Sequence, residues 1–354
     1  MNGEIREDMF KLLGHIVPDG KRIWMVSSAA EVGFRVSGAS RLLLRLQADD
    51  SVVDPAKRVF LPRFEVKLDG KKRIDVRMTT GNVMVTVFEG AEKRDAEVRL
   101  IKLNEGNSLF ALRDVMTDGA IEPLPARPLK MEFIGDSITC GYGVEARNET
   151  ETFTTATENA TKGYAFLTAE ALSADAVLTC FSGHGIVSGY TGDPSVRNEE
   201  ALVPPYYEKE GRNDFVLPTG KRVQETDRDF SAFQPDYIVI HLGTNDLSWC
   251  GADEARGKLF ARQYAAFLKT VRKDNPKARI LCALGTMGTG LNPMMQEAGE
   301  AYCRETGDQE IRLLILDEQN AKRDGYGADF HPSEITHHLL ARQMTQVIRR
   351  WMER

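Results

Sequence analysis

Long apolar runs are missing from this chain of 354 residues. No window approaches the roughly 18 uninterrupted apolar residues that span a bilayer, so no membrane insertion is expected. Cysteine is scarce: Cys140, Cys180, Cys250, Cys282 and Cys303 are odd in number, widely spread and without any C-x-x-C. They suit neither a disulfide framework nor a zinc site, and buried free thiols are the expectation. An excess of positive charge is also absent, with 46 Lys plus Arg against 52 Asp plus Glu and a net charge of -6. No summed positive field is available for phosphate backbones or anionic lipid, which argues against nucleic acid as a partner. The N-terminus mixes Glu4, Arg6, Glu7 and Asp8 into its only apolar stretch. It lacks the charge order and the apolar segment of a secretory signal, which predicts a cytoplasmic chain as it stands and a secreted one if a leader has been removed. Internal repeats and low-complexity tracts are lacking too.

What is present is ordinary globular composition, 42% hydrophobic and 28% charged, in a chain long enough for two domains at about 150 residues each. From Arg22 to about Leu103 the dominant period is two. Leu42, Leu44 and Leu46, then Phe64, Val66 and Leu68, then Ile74, Val76 and Met78, then Val83, Val85 and Val87 each alternate with other side chains, and Gly70, Thr80-Gly81 and Gly90 separate the runs. Such runs predict antiparallel strands with one face on a core, in a β-sandwich or jelly roll. The segment from Asp118 to Pro128 carries Pro123, Pro125 and Pro128 and reads as a linker. The predicted units are 1–125, an accessory β-domain, and 126–354.

Beyond the linker, short apolar runs alternate with helical stripes. Met131–Ile134, Ala176–Phe181, Tyr237–Leu242, Arg279–Leu284 and Leu313–Leu316 lack polar alternation, as parallel strands covered on both faces do. Asp253–Lys273 and Glu334–Met352 place apolar residues on one stripe. The expected fold is a three-layer α/β/α domain with a parallel sheet of about five strands. A Gly-, Pro- and Tyr-rich insertion, Gly189 to Arg222, falls between the second and third strands, and loops of that length are commonly functional.

Four segments at strand ends carry chemistry. Ser137, in Gly135-Asp136-Ser137-Ile138-Thr139, sits just past the first parallel strand, where α/β domains place reacting groups. A serine hydroxyl becomes a nucleophile only when a base takes its proton. His331, in Asp329-Phe330-His331-Pro332 before the last helix, is the base candidate, with Asp329 placed to hold its other nitrogen. Leu242-Gly243-Thr244-Asn245-Asp246 offers the Asn245 amide to a developing oxyanion, and Phe181-Ser182-Gly183-His184-Gly185 offers backbone N–H groups at Gly183 or Gly185. His184 is a rival base, while His337 and His338 read as surface or packing residues without metal-ligand spacing. Trp249 and Tyr142, then Tyr206 or Tyr207, are the candidates for stacking on a substrate.

These blocks, in this order, resemble the SGNH or GDSL hydrolase superfamily. Gly135–Gly143, Leu242–Asp246 and Asp329–Ser333 further resemble carbohydrate esterase family two, whose members join an N-terminal jelly roll to an SGNH domain. That resemblance implies a serine esterase that removes acetyl groups from plant-wall oligosaccharides, with no metal and no cofactor. It implies Ser137 as nucleophile, His331 as base and Asp329 as orienter, a role that a backbone carbonyl takes in some members. Its oxyanion hole is formed by the Ser137 N–H, a glycine N–H of the second block, Gly183 or Gly185, and the Asn245 side chain. The rival readings are a lipase or thioesterase on the same fold and a catalytically silent carbohydrate-binding protein. The sugar, the acetyl position and the oligomeric state are not encoded in these motifs.

Overall fold

A computed structural model describes residues 5–353, so the first four residues of the 1–125 unit and Arg354 of the 126–354 unit lie outside the described residues. The N-terminal strands are β1 (Lys11–Leu13), β2 (Ile16–Pro18), β3 (Ile23–Met25), β4 (Glu31–Ala48), β5 (Arg63–Leu68), β6 (Lys71–Arg77), β7 (Asn82–Lys102), β8 (Phe110–Thr117) and β9 (Ala120–Pro123). Over the described residues they form one nine-stranded antiparallel sheet in the order β2-β3-β8-β4-β7-β5-β6, with β1 and β9 also paired to β4. The long strands β4 and β7 shift register between Val36 and Ala39 and again between Leu42 and Leu43. Each shift bends the ladder and adds twist, and the sheet curls round a core of Phe34, Val36, Leu42, Leu44, Leu46, Phe64, Val66, Val98 and Leu100. The alternating residues therefore meet inside one curled sheet of jelly-roll type. The segment expected to be a linker is partly a strand: Ala120–Pro123 pairs with Phe34–Ser37. Pro123 is the last residue of that short strand, where a missing N–H is tolerated.

The second sheet holds five parallel strands, β10 (Leu129–Gly135), β11 (Ala174–Cys180), β12 (Tyr237–His241), β13 (Arg279–Leu284) and β14 (Ile311–Ile315), ordered β11-β10-β12-β13-β14. Its helices are α1 (Ser137–Cys140), α2 (Tyr164–Ala171), α3 (Pro204–Tyr207), α4 (Thr244–Cys250), α5 (Glu254–Asp274), α6 (Asn292–Thr306), α7 (Ala321–Asp324) and α8 (Glu334–Met352). Side chains of successive residues leave a strand on opposite faces. Phe133 thus belongs to the buried cluster that holds Tyr164 of α2 and Met344 and Trp351 of α8, with its ring 6.2 Å from that of Tyr164, while Ile134 belongs to the opposite cluster with Phe260 and Tyr264 of α5 and Met295 of α6. Asp253 and Ser333 cap α5 and α8. The strand order runs outward from β10 first to β11 and then back to β12, and this reversal places a crevice at the carboxyl end of β10.

A continuous seam joins the two sheets. The Thr155 N–H donates to Val59 O at 2.9 Å and the Ala160 N–H to Leu103 O at 2.8 Å. The buried Arg63 of β5 donates to Ala156 O and Glu158 O, both at 2.9 Å, and pairs with Asp75 and Glu145. The insertion and the residue that follows it cross the same seam, with Leu217 and Val223 buried in one cluster with Trp24, Val26 and Leu109 of the N-terminal unit. All five thiols are free; Cys303 is half-buried and the other four are buried. Among the described residues no helix is long and apolar enough to cross a membrane.

Candidate active site

Strand β10 ends at Gly135, and Asp136 begins the turn into α1 by accepting the Ile138 N–H at 3.0 Å. This cap holds Ser137 as the first residue of the helix, 6% exposed, at the carboxyl edge of the sheet. His331 reaches the same point from the loop before α8, and its Nε2 stands 2.9 Å from Ser137 Oγ. Gly143 makes that approach possible. Its φ is +60° and a Cβ there would fall 2.6 Å from Ala328 Cβ, so only glycine lets the two loops touch. The Ala328 N–H donates to Gly143 O at 3.1 Å across the contact.

The imidazole is held from behind by backbone. Nδ1 lies 3.1 Å from Ala328 O and 3.2 Å from Asp329 O. Carbonyls only accept, so Nδ1 carries the proton and Nε2 presents its lone pair to the serine hydroxyl. Burial in the pocket wall lowers the His331 pKa from its usual 6.5, which keeps the ring neutral at neutral pH.

The expectation for Asp329 is corrected by this geometry. Its carboxylate does not reach the imidazole but accepts the Tyr142 hydroxyl at 2.7 Å. The reason is conformational: Asp329 (φ 51°, ψ 40°) and Phe330 (φ 62°) are both left-handed. The chain therefore turns its carbonyls toward Nδ1 and its carboxylate toward Tyr142. Tyr142 in turn lies 4.3 Å from the His331 ring and stacks on Phe153 at 3.8 Å and 6°.

Ser137, Gly183 and Asn245, which offer N–H donors, line the same cavity as His331. The N–H groups of Ser137 and Gly183 have no acceptor among the described residues. The Gly185 N–H, the alternative, is committed to Ala201 O at 3.1 Å. Gly183 has φ +77°, a conformation that only glycine adopts freely. The Asn245 amide donates to His184 O at 2.9 Å and leans toward Asp136 Oδ2 at 3.3 Å, so its second N–H has only a long bond to give up. His184 is unsuited as a base, because its Nδ1 donates to Ser182 O at 2.8 Å and burial holds its pKa down to about 4.

Two carboxyl groups had no role in the sequence reading although both stand in its motifs. Asp246 accepts the Ile186, Val187 and Ser188 N–H groups at 2.6 to 3.1 Å, which pins the loop bearing Gly183. Burial raises its pKa to about 6 and that of Asp136 to about 7. Their quoted blocks, GDS and GTND, were the available signal.

These groups open into a cavity of about 890 Å³ that includes Tyr142, Phe153, Tyr190, Met287 and Phe330, together with Phe60, Glu105 and Asn107 from the N-terminal unit. The N-terminal unit, expected to be an accessory, therefore forms one wall of this cavity. Trp249 does not line the cavity. It follows Leu247 and Ser248, which do, and the helical turn carries its ring between the guanidinium groups of Arg197 and Arg256, 5.4 and 4.7 Å away. Tyr207 is buried in the core, and Tyr206 packs on Phe181. His337 is buried, accepting the Tyr164 N–H, and His338 is exposed.

The sequence pattern of the GDSL-like lipase/acylhydrolase family matches residues 133–339. The cellulase/esterase CelE of Acetivibrio thermocellus is 36% identical over 225 residues, which are 62% of this chain; the chain spans only 25% of the length of that relative. An acetylxylan esterase/glucomannan deacetylase of Cellvibrio japonicus is 27% identical over 292 residues, covering 82% of this chain and 76% of the other. Among solved structures, a family two carbohydrate esterase from Clostridium thermocellum in complex with cellohexaose superposes with TM-score 0.81 at 27% identity, over 97% of this chain and 99% of that one. An acetyl xylan esterase from Butyrivibrio proteoclasticus shares the fold at TM-score 0.86 and 22% identity, over 99% and 96% of the two chains.

Proposed function

The chain belongs to the GDSL-like lipase/acylhydrolase family, and from that membership we propose that it is a serine esterase removing O-acetyl groups from plant-wall oligosaccharides of xylan, mannan or glucan type. The observation that carries the reading is the 2.9 Å contact between Ser137 Oγ and His331 Nε2, beside the Ser137 and Gly183 N–H groups, which have no acceptor among the described residues.

In this mechanism Nε2 takes the hydroxyl proton as Oγ attacks the acetyl carbonyl carbon. The carbonyl π pair moves onto oxygen, and the Ser137, Gly183 and Asn245 N–H groups receive that charge. The imidazolium then gives its proton to the sugar oxygen, the C–O bond breaks, and the acetyl group remains on Oγ. Water repeats the sequence with the same base, releasing acetate and restoring Ser137. Both carbonyls behind Nδ1 stabilise the imidazolium that forms in each half-reaction. The names of the relatives support acetylated polysaccharide as substrate, and the aromatic walls of the cavity supply faces for sugar rings.

Acetate release from acetylated xylan, mannan and cello-oligosaccharides, set against 4-nitrophenyl acetate and long-chain acyl esters, tests the reading. Wild-type protein should release acetate and Ser137→Ala should not, with an unchanged melting temperature. A preference for long acyl chains would make it a lipase or thioesterase, and sugar binding without turnover on any ester would make it a binding protein.

A further inference from the structure

One arm of the site comes from outside the α/β domain and is absent from the mechanism above. Glu105, on the turn after β7, lies 4% exposed at the floor of the cavity. Its Oε2 accepts the Ser182 N–H at 2.9 Å across 77 residues of sequence. Ser182 is also held at its other end, where its carbonyl accepts His184 Nδ1 at 2.8 Å. The peptide joining Ser182 to Gly183 contains both that carbonyl and the free Gly183 N–H. Peptide planarity ties the direction of one to the other, so fixing Ser182 at both ends fixes where the Gly183 N–H points.

Glu105 is itself immobilised. Its N–H donates to Glu158 Oε1 at 2.9 Å, and its carbonyl accepts Lys102 Nζ at 2.7 Å and Asn104 Nδ2 at 3.0 Å. Asn104 Oδ1 takes the Arg63 N–H at 2.8 Å, which ties the turn to the curled sheet. We propose that Glu105 is a positioning residue for the oxyanion hole, by which the N-terminal domain sets the aim of the Gly183 N–H. The inference rests on the esterase reading. It differs from a packing role because an acceptor, and not a volume, is what Ser182 requires.

The test compares Glu105→Gln, which keeps an acceptor oxygen, with Glu105→Ala and Glu105→Met, which remove it, Met preserving most of the volume. Each full-length variant is assayed on an acetate ester and on its thionoester. The thionoester carbonyl sulfur accepts hydrogen bonds poorly, so the oxygen-to-sulfur ratio of kcat/KM reports on the hole itself. Expected are a fall in kcat of about 10²-fold for Ala and Met with KM little changed, a collapse of the ratio toward that of a hole lacking a donor, and recovery of both in Gln. If Ala does not fold, Met carries the comparison. Active wild-type protein with an undiminished ratio in Met, or equal losses in Gln and Met, overturns this inference alone. A wild-type protein inert on both esters overturns the esterase reading and this inference with it.

Discussion

Replacing Asp329 by asparagine separates two architectures that look alike in sequence. Where a carboxylate holds the imidazole, the same change costs about 10⁴-fold in kcat, because the wrong tautomer is favoured and the imidazolium loses its counter-charge. Here the Nδ1 proton is shared by Ala328 O and Asp329 O, and neither carbonyl is altered by the substitution. Asparagine tolerates the left-handed backbone as aspartate does, and its Oδ1 can still accept the Tyr142 hydroxyl. What disappears is one charge on an exposed side chain, and such pairs are worth about 1 kcal/mol or less, roughly fivefold in rate. The pH profile gives a second reading. Burial depresses the His331 pKa while the Asp329 charge pulls it upward. The acid limb of kcat/KM should therefore lie below pH 6.5 in the wild type, and removing the charge should move it lower still. Steady-state kinetics across the acid range, with an inactive His331→Ala as control, decide the matter. A loss near 10⁴-fold in Asp329→Asn, or an acid limb that moves upward, would refute the argument.

Two further outcomes follow from the same geometry. Asn245→Ala should lower kcat by about two orders of magnitude, some 3 kcal/mol of transition-state stabilisation, and raise KM less; a change confined to KM would assign Asn245 to ground-state binding. Asp246→Ala orphans three buried N–H groups at Ile186, Val187 and Ser188, at a cost of about 3 kcal/mol or more on the scale of 1 kcal/mol or more per unmet donor, and an unchanged urea midpoint would contradict it.

The sequence disclosed whatever periodicity or a strand end could express. Helix α8 runs from Glu334 to Met352 as its apolar stripe predicts, and the strand carrying Tyr237 ends one residue short of expectation. Ser137 and His331 were legible because each sits at the end of an element, where a parallel sheet gathers its loops. The Asp329 carboxylate was misassigned because its direction depends on two consecutive positive φ angles, and neither aspartate nor phenylalanine announces those. Trp249 was misplaced for a related reason: one step along a helix rotates a side chain by about 100°, enough to take the ring out of the cavity. Glu105 had no signal at all, since its partner lies in the other domain and the contact exists only after both have folded.

The seam between the sheets bears on how the molecule comes apart. Arg63 satisfies carbonyls of the segment between α1 and α2 from the curled sheet, and Leu217 of the insertion and Val223 just after it are buried among side chains of the other unit. Separating the two sheets would strip a buried guanidinium of its acceptors and wet an apolar cluster together, so partial opening has no cheap intermediate. The two architectural units should therefore unfold in a single transition. A fragment beginning at residue 126 would retain the serine and the histidine yet lack autonomy, because what encloses the crevice around them is also what completes its folding unit.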